Sequence, residues 1–526
     1  MPRAKPKELI DERFPLGPGL FAVEASEGRW KAFPHLILII ELLMYMVGGS
    51  FNRLMVFCPP RHGKSWLISK YFLTWFLGSF PDLRIILATH RASFSAKWGR
   101  ISKQLLEQYG RKLFVSEMLT PEGEHVLVKN EVELDKSSNA SYRWDIAGHD
   151  GGLFTGGIGT GLLGEGMNGG IIDDPTKGFT KANRKSHQQE LNDWYYTEFK
   201  TRADTDLATG KSPWICYIAQ RLNRKDLAGQ ILYGLGEEDP GEPHITATEA
   251  LRILRSGGTI PDGTWVVLNL PALAEEDDIL GRSPGEALCR QIKNEEELEQ
   301  IQREMGSFRF EALYQGQPRE REGKIFKRKW FYDERGEVLT SILTNRHLLP
   351  SMLNELRYWD FAASGEEGDN VAATRTAYYT TPDGVNEMVV RGLFRGKYSA
   401  GQVLNRFETV TLKDGRSVRR TVEQEPGSMA KILIKKLRKI KKFKGYPKIK
   451  ADKVQDSKAD RSFDLEVMAE NGRLKFDTDT LTMAEIKQII DELIEFTGEE
   501  GGEDNTVDTL TGSARQWERP RRSVIV

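Results

Sequence analysis

Short apolar runs alternate with amphipathic stretches through the first half of the chain. Residues 36–47 are almost wholly apolar, broken only by Glu41, and predict a buried helix. The run is too short to cross ~30 Å of hydrocarbon, so no membrane span is expected. An apolar run at 54–58 predicts a strand, followed by a turn and a helix over 65–76. A second strand is expected at 84–88, then helical spacing over 92–109. Residues 126–134 alternate and predict a hairpin region, and 214–232 form a further strand–helix unit. Strands alternating with helices in this way predict a mostly parallel sheet covered by helices.

Residues 148–170 are glycine-rich and allow two readings: a flexible surface loop, or tight turns approaching a ligand or bringing strand edges together. The stretch runs into an apolar strand ending in Asp173 and Asp174. Beyond residue 330 new strands are expected at 356–361, 371–379, 387–393 and 417–423, the last followed by a helix. The resulting partition is a lead-in segment and helix at 1–50 and a first α/β domain at 51–315. A Gly-, Pro- and charge-rich linker at 316–330, a second domain at 331–512 and a basic tail at 513–526 complete it.

Length changes this picture little: 526 residues exceed what one hydrophobic core supports, so two domains are expected. The balance of 75 basic against 76 acidic residues gives a net charge of −1, so any contact with nucleic acid must come from local basic patches. Cys58, Cys216 and Cys289 are far apart and form no CxxC pair, which favours buried small hydrophobes over a zinc site or disulfides. The charged, proline-containing start does not read as a secretory signal.

The first chemical motif is Phe57-Cys58-Pro59-Pro60-Arg61-His62-Gly63-Lys64-Ser65, between a hydrophobic strand and a hydrophobic helix. The usual phosphate loop opens with glycine and ends Gly-Lys-Ser/Thr; here Cys58 takes the opening position while the ending is intact. Pro60, Arg61, His62, Gly63, Lys64 and Ser65 are the expected ATP-binding residues, with Lys64 facing the β/γ oxygens and Ser65 a Mg²⁺ ligand. The strand ending in Asp173 and Asp174 fits the partner motif. Asp173 would support the metal, and Asp174 would polarise the attacking water. Arg61 would stabilise charge on the γ-phosphate. Arg202 and Arg221 are weighed as donors of an arginine to a neighbouring subunit.

Three acidic features lie beyond the linker: Asp360 on a strand, Glu423 and Glu425 at the end of another, and Asp504 with Asp508 opening a helix. Cleavage of a phosphodiester by two metals needs several carboxylates around cations ~3.5–4 Å apart. Asp360, Glu423 and Asp504 are the leading ligands, with Asp508 and Glu425 as second choices. Lys435, Lys436, Arg438, Lys439, Lys441, Lys442 and Lys444 crowd the stretch that follows. They read either as a grip on DNA phosphates or as the solvated face of a helix whose Ile432, Leu433, Leu437 and Ile440 pack inward.

The order of these features resembles the large terminase subunits of tailed bacteriophages. Pro59-Pro60-Arg61-His62-Gly63-Lys64-Ser65 resembles that family's arginine-containing phosphate loop, and Ile171-Ile172-Asp173-Asp174-Pro175 its Walker B strand. The run 220–229 resembles its coupling segment, with Gln220 standing for the usual threonine. Tyr314-Gln315-Gly316-Gln317-Pro318 resembles the junction with the nuclease. Trp359-Asp360-Phe361-Ala362 with Asp369, Glu423-Gln424-Glu425-Pro426-Gly427 and Asp504-Asn505-Thr506-Val507-Asp508 resemble its three nuclease motifs, with Asn505 replacing a frequent aspartate.

The resemblance implies a RecA-like ATPase domain joined to an RNase H-like nuclease that depends on Mg²⁺ or Mn²⁺. It also implies double-stranded DNA as substrate, a ring on the portal protein, and a small terminase subunit as partner. The place of work would be the host cytoplasm during assembly, not the mature virion. Two rival readings are a helicase-like or repair ATPase without nuclease, and a non-enzymatic portal or capsid adaptor.

Overall fold

The computed structural model describes residues 17–119, 125–162, 164–206, 210–236, 239–319, 323–351, 353–361, 369–424, 428–454, 456–499 and 504–518. The chain divides into two compact units. The first holds residues 1–302 and 307–320, the second 303–306 and 321–526. Among the described residues no helix is long and apolar enough to cross a membrane.

The first unit is built on a nine-stranded sheet. Its central strands are Trp265–Asn269, Arg53–Phe57, Trp214–Ala219, Gly169–Asp173, Arg84–Thr89 and Gly152–Gly157, in that spatial order and all parallel. His244–Thr246 adds a parallel edge, while Arg143–Ile146 and Leu134–Asn139 extend the other side in antiparallel fashion. Both faces are buried, as parallel sheets require. Leu54 and Val56 point into one core and Met55 and Phe57 into the other, the alternation that a pleated strand imposes. The apolar helix Pro34–Val47 packs in the first of these cores. Cys58, Cys216 and Cys289 are all buried and unpaired.

Three expectations need correction here. The hairpin near 126–134 is instead formed by Val115–Leu119 and His125–Lys129, a separate two-stranded sheet; Leu134–Asn139 joins the main sheet. The helix after the phosphate loop opens into a π-helical turn over Trp66–Phe72 before continuing as α-helix over Leu73–Ser79. Such widened turns are rare and leave no trace in hydrophobic spacing. The glycine-rich stretch contains a buried strand, Gly152–Gly157, rather than loop alone.

The second unit carries a seven-stranded mixed sheet. Its order is Leu343–Thr344, Leu474–Asp477, Asn386–Tyr398, Asp369–Thr380, Asn354–Phe361, Arg419–Gln424 and Lys450–Lys453. Asp369–Thr380 pairs antiparallel with both neighbours, whereas Asn354–Phe361, Arg419–Gln424 and Lys450–Lys453 run parallel. Trp359 and Val422 enter a core with Phe407 and Leu437; Val507, Leu510 and Ala514 of the helix Asn505–Glu518 enter another with Met388 and Val390. That last helix runs to Glu518, so residues 513–518, expected in a basic tail, are helical; Ala514 packs in the core and Arg515 pairs with Asp452. Residues 519–526 of that tail lie outside the described residues.

Candidate functional sites

In the first unit the functional side chains sit at the ends of neighbouring parallel strands. The strand Arg53–Phe57 delivers the chain into Cys58 and two prolines, and Trp214–Ala219 lies between it and Gly169–Asp173. The loop then turns sharply, with Arg61 at φ +63° and Gly63 at φ +92°. Glycine is the residue that enters the left-handed region without strain; Arg61 does so at a cost. The His62 ring is fully buried, with Nδ1 at 3.0 Å from Pro60 O, and His35 Nε2 lies 2.9 Å from His62 O. His62 therefore shapes the loop, and burial lowers its affinity for a proton. Gly63 O accepts the Leu67 amide at 2.9 Å, so the helix starts at the loop and turns its N-terminus toward it.

Lys64, buried, donates from Nζ to Asp174 Oδ2 at 3.3 Å. Burial opposes its charge, but Asp174 and then Asp173 outweigh this and raise its pKa. Ser65 Oγ donates to Asp173 Oδ1 at 3.0 Å and Ser69 Oγ to Asp173 Oδ2 at 2.7 Å. Burial, reinforced by Asp174, pushes the Asp173 carboxyl up to about 7. Asp174 adopts φ +46°, and its Oδ1 accepts the Gln220 amide at 3.1 Å. Lys64, Ser65 and Asp174 line a cleft of about 930 Å³ together with Arg61, Gln220, Trp30, Trp66, Lys70, Phe94 and Lys97, while Asp173 and Ser69 are buried behind them. Arg61 is exposed there.

A cationic loop at a helix N-terminus, facing a hydroxyl–carboxylate pair, can hold a polyphosphate and a hard divalent cation. Sequence reasoning misses Ser69; it lies one helical turn beyond Ser65, and that spacing is the signal that could find it. Arg221 is a correction: its Nε contacts Asp226 Oδ1 at 3.1 Å and Oδ2 at 3.0 Å, its guanidinium stacks 5.0 Å from the Phe57 ring centroid, and it is buried. A guanidinium committed in this way does not reach another subunit. Arg202 is half-buried and contacts Thr201 Oγ1 at 3.1 Å.

In the second unit, strand register gathers the acids. Trp359 lies beside Val422 in parallel pairing, and Glu423 beside Asp452. Since Trp359 and Val422 face one core, alternation turns Tyr358, Asp360, Glu423 and Asp452 to the opposite face. The helix Asn505–Glu518 covers that face; Gly512 packs so closely that a Cβ there would lie 2.2 Å from the Tyr358 ring. Asp504 precedes this helix and Asp508 sits in its first turn, with the Asp508 amide 2.9 Å from Asp504 O.

Two cations stand among these acids. Lys458 Nζ lies 2.5 Å from Asp504 Oδ1 and 2.9 Å from Asp508 Oδ2. Arg461 Nη1 donates to Glu423 Oε1, and its Nη2 lies 3.4 Å from Asp508 Oδ1. Burial raises the Glu423 and Asp504 carboxyls, with Arg461 and Lys458 opposing it respectively. Asp508 and the other acids hold both cations charged against burial. Among the described residues no group of three acid side chains lies close enough to ligate one ion in this arrangement. The donor chemistry, the buried carboxylates of Glu423, Asp504 and Asp508, is of the kind a hard divalent cation takes, and Lys458 and Arg461 now occupy it.

Sequence reasoning also misses Lys458, Arg461, Tyr358 and Asp452, because only strand pairing and helix docking bring them to the acids. Glu425 lies outside the described residues. The backbone of Asp369 begins the strand paired to Asn386–Tyr398. In the helix Ser428–Arg438, Ile434 and Leu437 are buried and Lys435 and Lys436 exposed. Ile432, expected to pack inward, is 49 % exposed. Arg438 donates to Ile449 O at 3.0 and 2.9 Å, and Lys442 pairs with Glu408.

No family model matches the chain, and no curated protein matches it. Solved structures do. The large terminase of a thermophilic bacteriophage covers 91 % of this chain and 98 % of its own at 12 % identity and a TM-score of 0.45. The same terminase with ATP-gamma-S gives a TM-score of 0.43 over the same shares at 12 % identity. The P22 large terminase nuclease domain covers 37 % of this chain and 93 % of its own at 11 % identity, with a TM-score of 0.27. The similarity is to large terminases. Independently of it, the chain is an α/β protein with one mostly parallel and one mixed sheet.

Proposed function

We propose that the chain is the large subunit of a tailed-phage terminase, hydrolysing ATP to drive double-stranded DNA into a prohead and cutting concatemeric DNA with a metal-dependent nuclease. The observation that carries this is the presence, in one chain, of two chemically distinct sites. One is a Gly-Lys-Ser loop meeting Asp173 and Asp174. The other is a carboxylate cluster of Glu423, Asp504 and Asp508 on the sheet face that also carries Asp360.

In the first site Lys64 and the loop amides bind the β- and γ-phosphates of ATP. Ser65 and Asp173 would hold Mg²⁺, which supplies charge neutralisation on the phosphate oxygens. Asp174 orients water, and Arg61, exposed on the cleft, meets the γ-phosphate. Lys64 bonds Asp174 in the free protein, so nucleotide competes for the lysine and frees the carboxylate for water. In the second site Asp360, Glu423, Asp504 and Asp508 would hold Mg²⁺ or Mn²⁺, which activates water and stabilises the leaving oxygen. Lys458 and Arg461 must then release at least part of their acids. Lys435 and Lys436 offer exposed charge to DNA phosphates. The portal protein, a small terminase subunit, a homo-oligomeric ring and a site of action in the host cytoplasm belong to the same proposal.

Reciprocal variants test it. Lys64→Ala should lower ATP turnover at least ~100-fold, the scale of losing a key charge-stabilising group, while plasmid cleavage in Mn²⁺ persists. Asp360→Asn should stop cleavage and leave ATPase in place. ATP turnover without any Mn²⁺-dependent cleavage by the parent would favour the helicase-like reading.

A further inference from the structure

Beneath the acid cluster lies a second row of polar groups that none of the roles above uses. Tyr358 is fully buried, and its Oη lies 3.1 Å from Glu423 Oε2 and 2.8 Å from Asp452 Oδ2. Asp452, 2 % exposed, also accepts from Arg515 Nη2 at 2.8 Å. The chain of contacts runs from the last helix, through the edge strand Lys450–Lys453, to the carboxylate of Glu423. A phenol, a carboxylate and a guanidinium out of water are costly unless each is matched, and phenylalanine would fill the position of Tyr358 without that cost. The phenol has one proton to donate, and the two carboxylates share it, Asp452 at the shorter distance.

We infer that Tyr358, Asp452 and Arg515 are positioning residues that orient Glu423 for a divalent cation. This rests on the nuclease reading above. The two Glu423 oxygens are held differently. Tyr358 contacts Oε2 from within the sheet, whereas Arg461 contacts Oε1 and also Asp508. Oε1 would therefore be the oxygen open to a cation once Arg461 gives way, with Oε2 anchored by Tyr358. Arg515 balances the charge of the buried Asp452 and so holds in place the carboxylate that fixes the Tyr358 hydroxyl. The same helix presents Asp504 and Asp508 at its start and Arg515 further along, and Gly512 lets it sit flush on the Tyr358 ring. Docking of this one helix thus sets both the ligands and their orientation.

The test is calorimetric titration of Mn²⁺ into the full-length, nucleotide-free protein, with Glu423→Gln as reference and thermal melting as the control for folding. Tyr358→Phe should weaken Mn²⁺ binding by ~10–100-fold, the range for losing a partner of a metal ligand, with cleavage largely restored at saturating Mn²⁺. Arg515→Gln should shift affinity in the same direction, and Arg515→Lys should recover most of it. If Glu423→Gln loses Mn²⁺ while Tyr358→Phe binds like the parent, the positioning role is overturned and the nuclease reading stands. If Tyr358→Phe does not fold, unchanged affinity in Arg515→Gln overturns the role instead. Parental Mn²⁺ binding and cleavage by Glu423→Gln would remove the nuclease reading and this inference with it.

Discussion

Asp173 is the residue whose chemistry depends most on its surroundings. Burial and the neighbouring Asp174 raise its carboxyl to about 7 in the nucleotide-free protein. Holding a magnesium ion requires the carboxylate, so below pH 7 the ion must displace a proton. Mg²⁺-ATP affinity should therefore rise as pH is raised from about 6 to 8 and level off above the folded pKa. Calorimetry in buffers of different ionisation enthalpy should register proton release on binding at pH 6 and little at pH 8. Equal release at both would assign the linkage to another group. The raised pKa also sets a sign for stability. Protonated Asp173 favours the fold below the ordinary aspartate value, and that contribution declines as pH climbs through about 7.

Residue-level legibility divided along sequence distance. Gly63, Lys64 and Ser65 are contiguous, and the strand before them and helix after them give the motif its context. Asp173 and Asp174 end an apolar strand, so both parts of the candidate nucleotide site are visible in local sequence. Lys458, Arg461 and Asp452 could not, because nothing in their immediate neighbours marks them; strand register and helix docking decide what they touch. Arg221 shows the converse. It stands near the end of a strand beside the cleft, as a finger should, yet Asp226 five residues on claims it.

Among elements, the helix Asn505–Glu518 has the most to lose from a small change. A side chain at Gly512 would meet the Tyr358 ring, which is fully buried and cannot swing aside. Gly512→Ala should cost about 1–3 kcal/mol by overpacking, measurable by urea denaturation of the second unit. It should also weaken Mn²⁺ binding, because the helix that bears Asp504 and Asp508 would be lifted. A wild-type melting curve would mean that the ring yields within its core and the helix stays seated. The element pattern was readable where apolar runs were clean, as at Arg53–Phe57 and Trp214–Ala219. It found the helix through Trp66–Phe72 but not its π-helical turn, which keeps the composition of an α-helix, and at Gly152–Gly157 glycine disguised a buried strand.

At the scale of the whole molecule, a chain of net charge −1 would have to concentrate its positive charge to meet DNA as proposed. Lys435 and Lys436 are exposed on a helix whose other face is buried, whereas Arg438 is spent on Ile449 O. Reversing Lys435 and Lys436 to glutamate should reduce the slope of log affinity against log salt by ~0.9 for each phosphate no longer neutralised. Filter binding across a salt series would show it, and an unchanged slope would return this face to the role of solvated helix.

The pairing of Lys458 and Arg461 with the acids has a practical corollary. Because Lys458 and Arg461 supply counter-charges to Asp504, Asp508 and Glu423, these acids do not need a metal ion to be matched in the fold. A chelator should silence cutting without melting the protein, and returning manganese should restore it without refolding. On the proposed function, these acids would stay masked by Lys458 and Arg461 until a metal ion arrives.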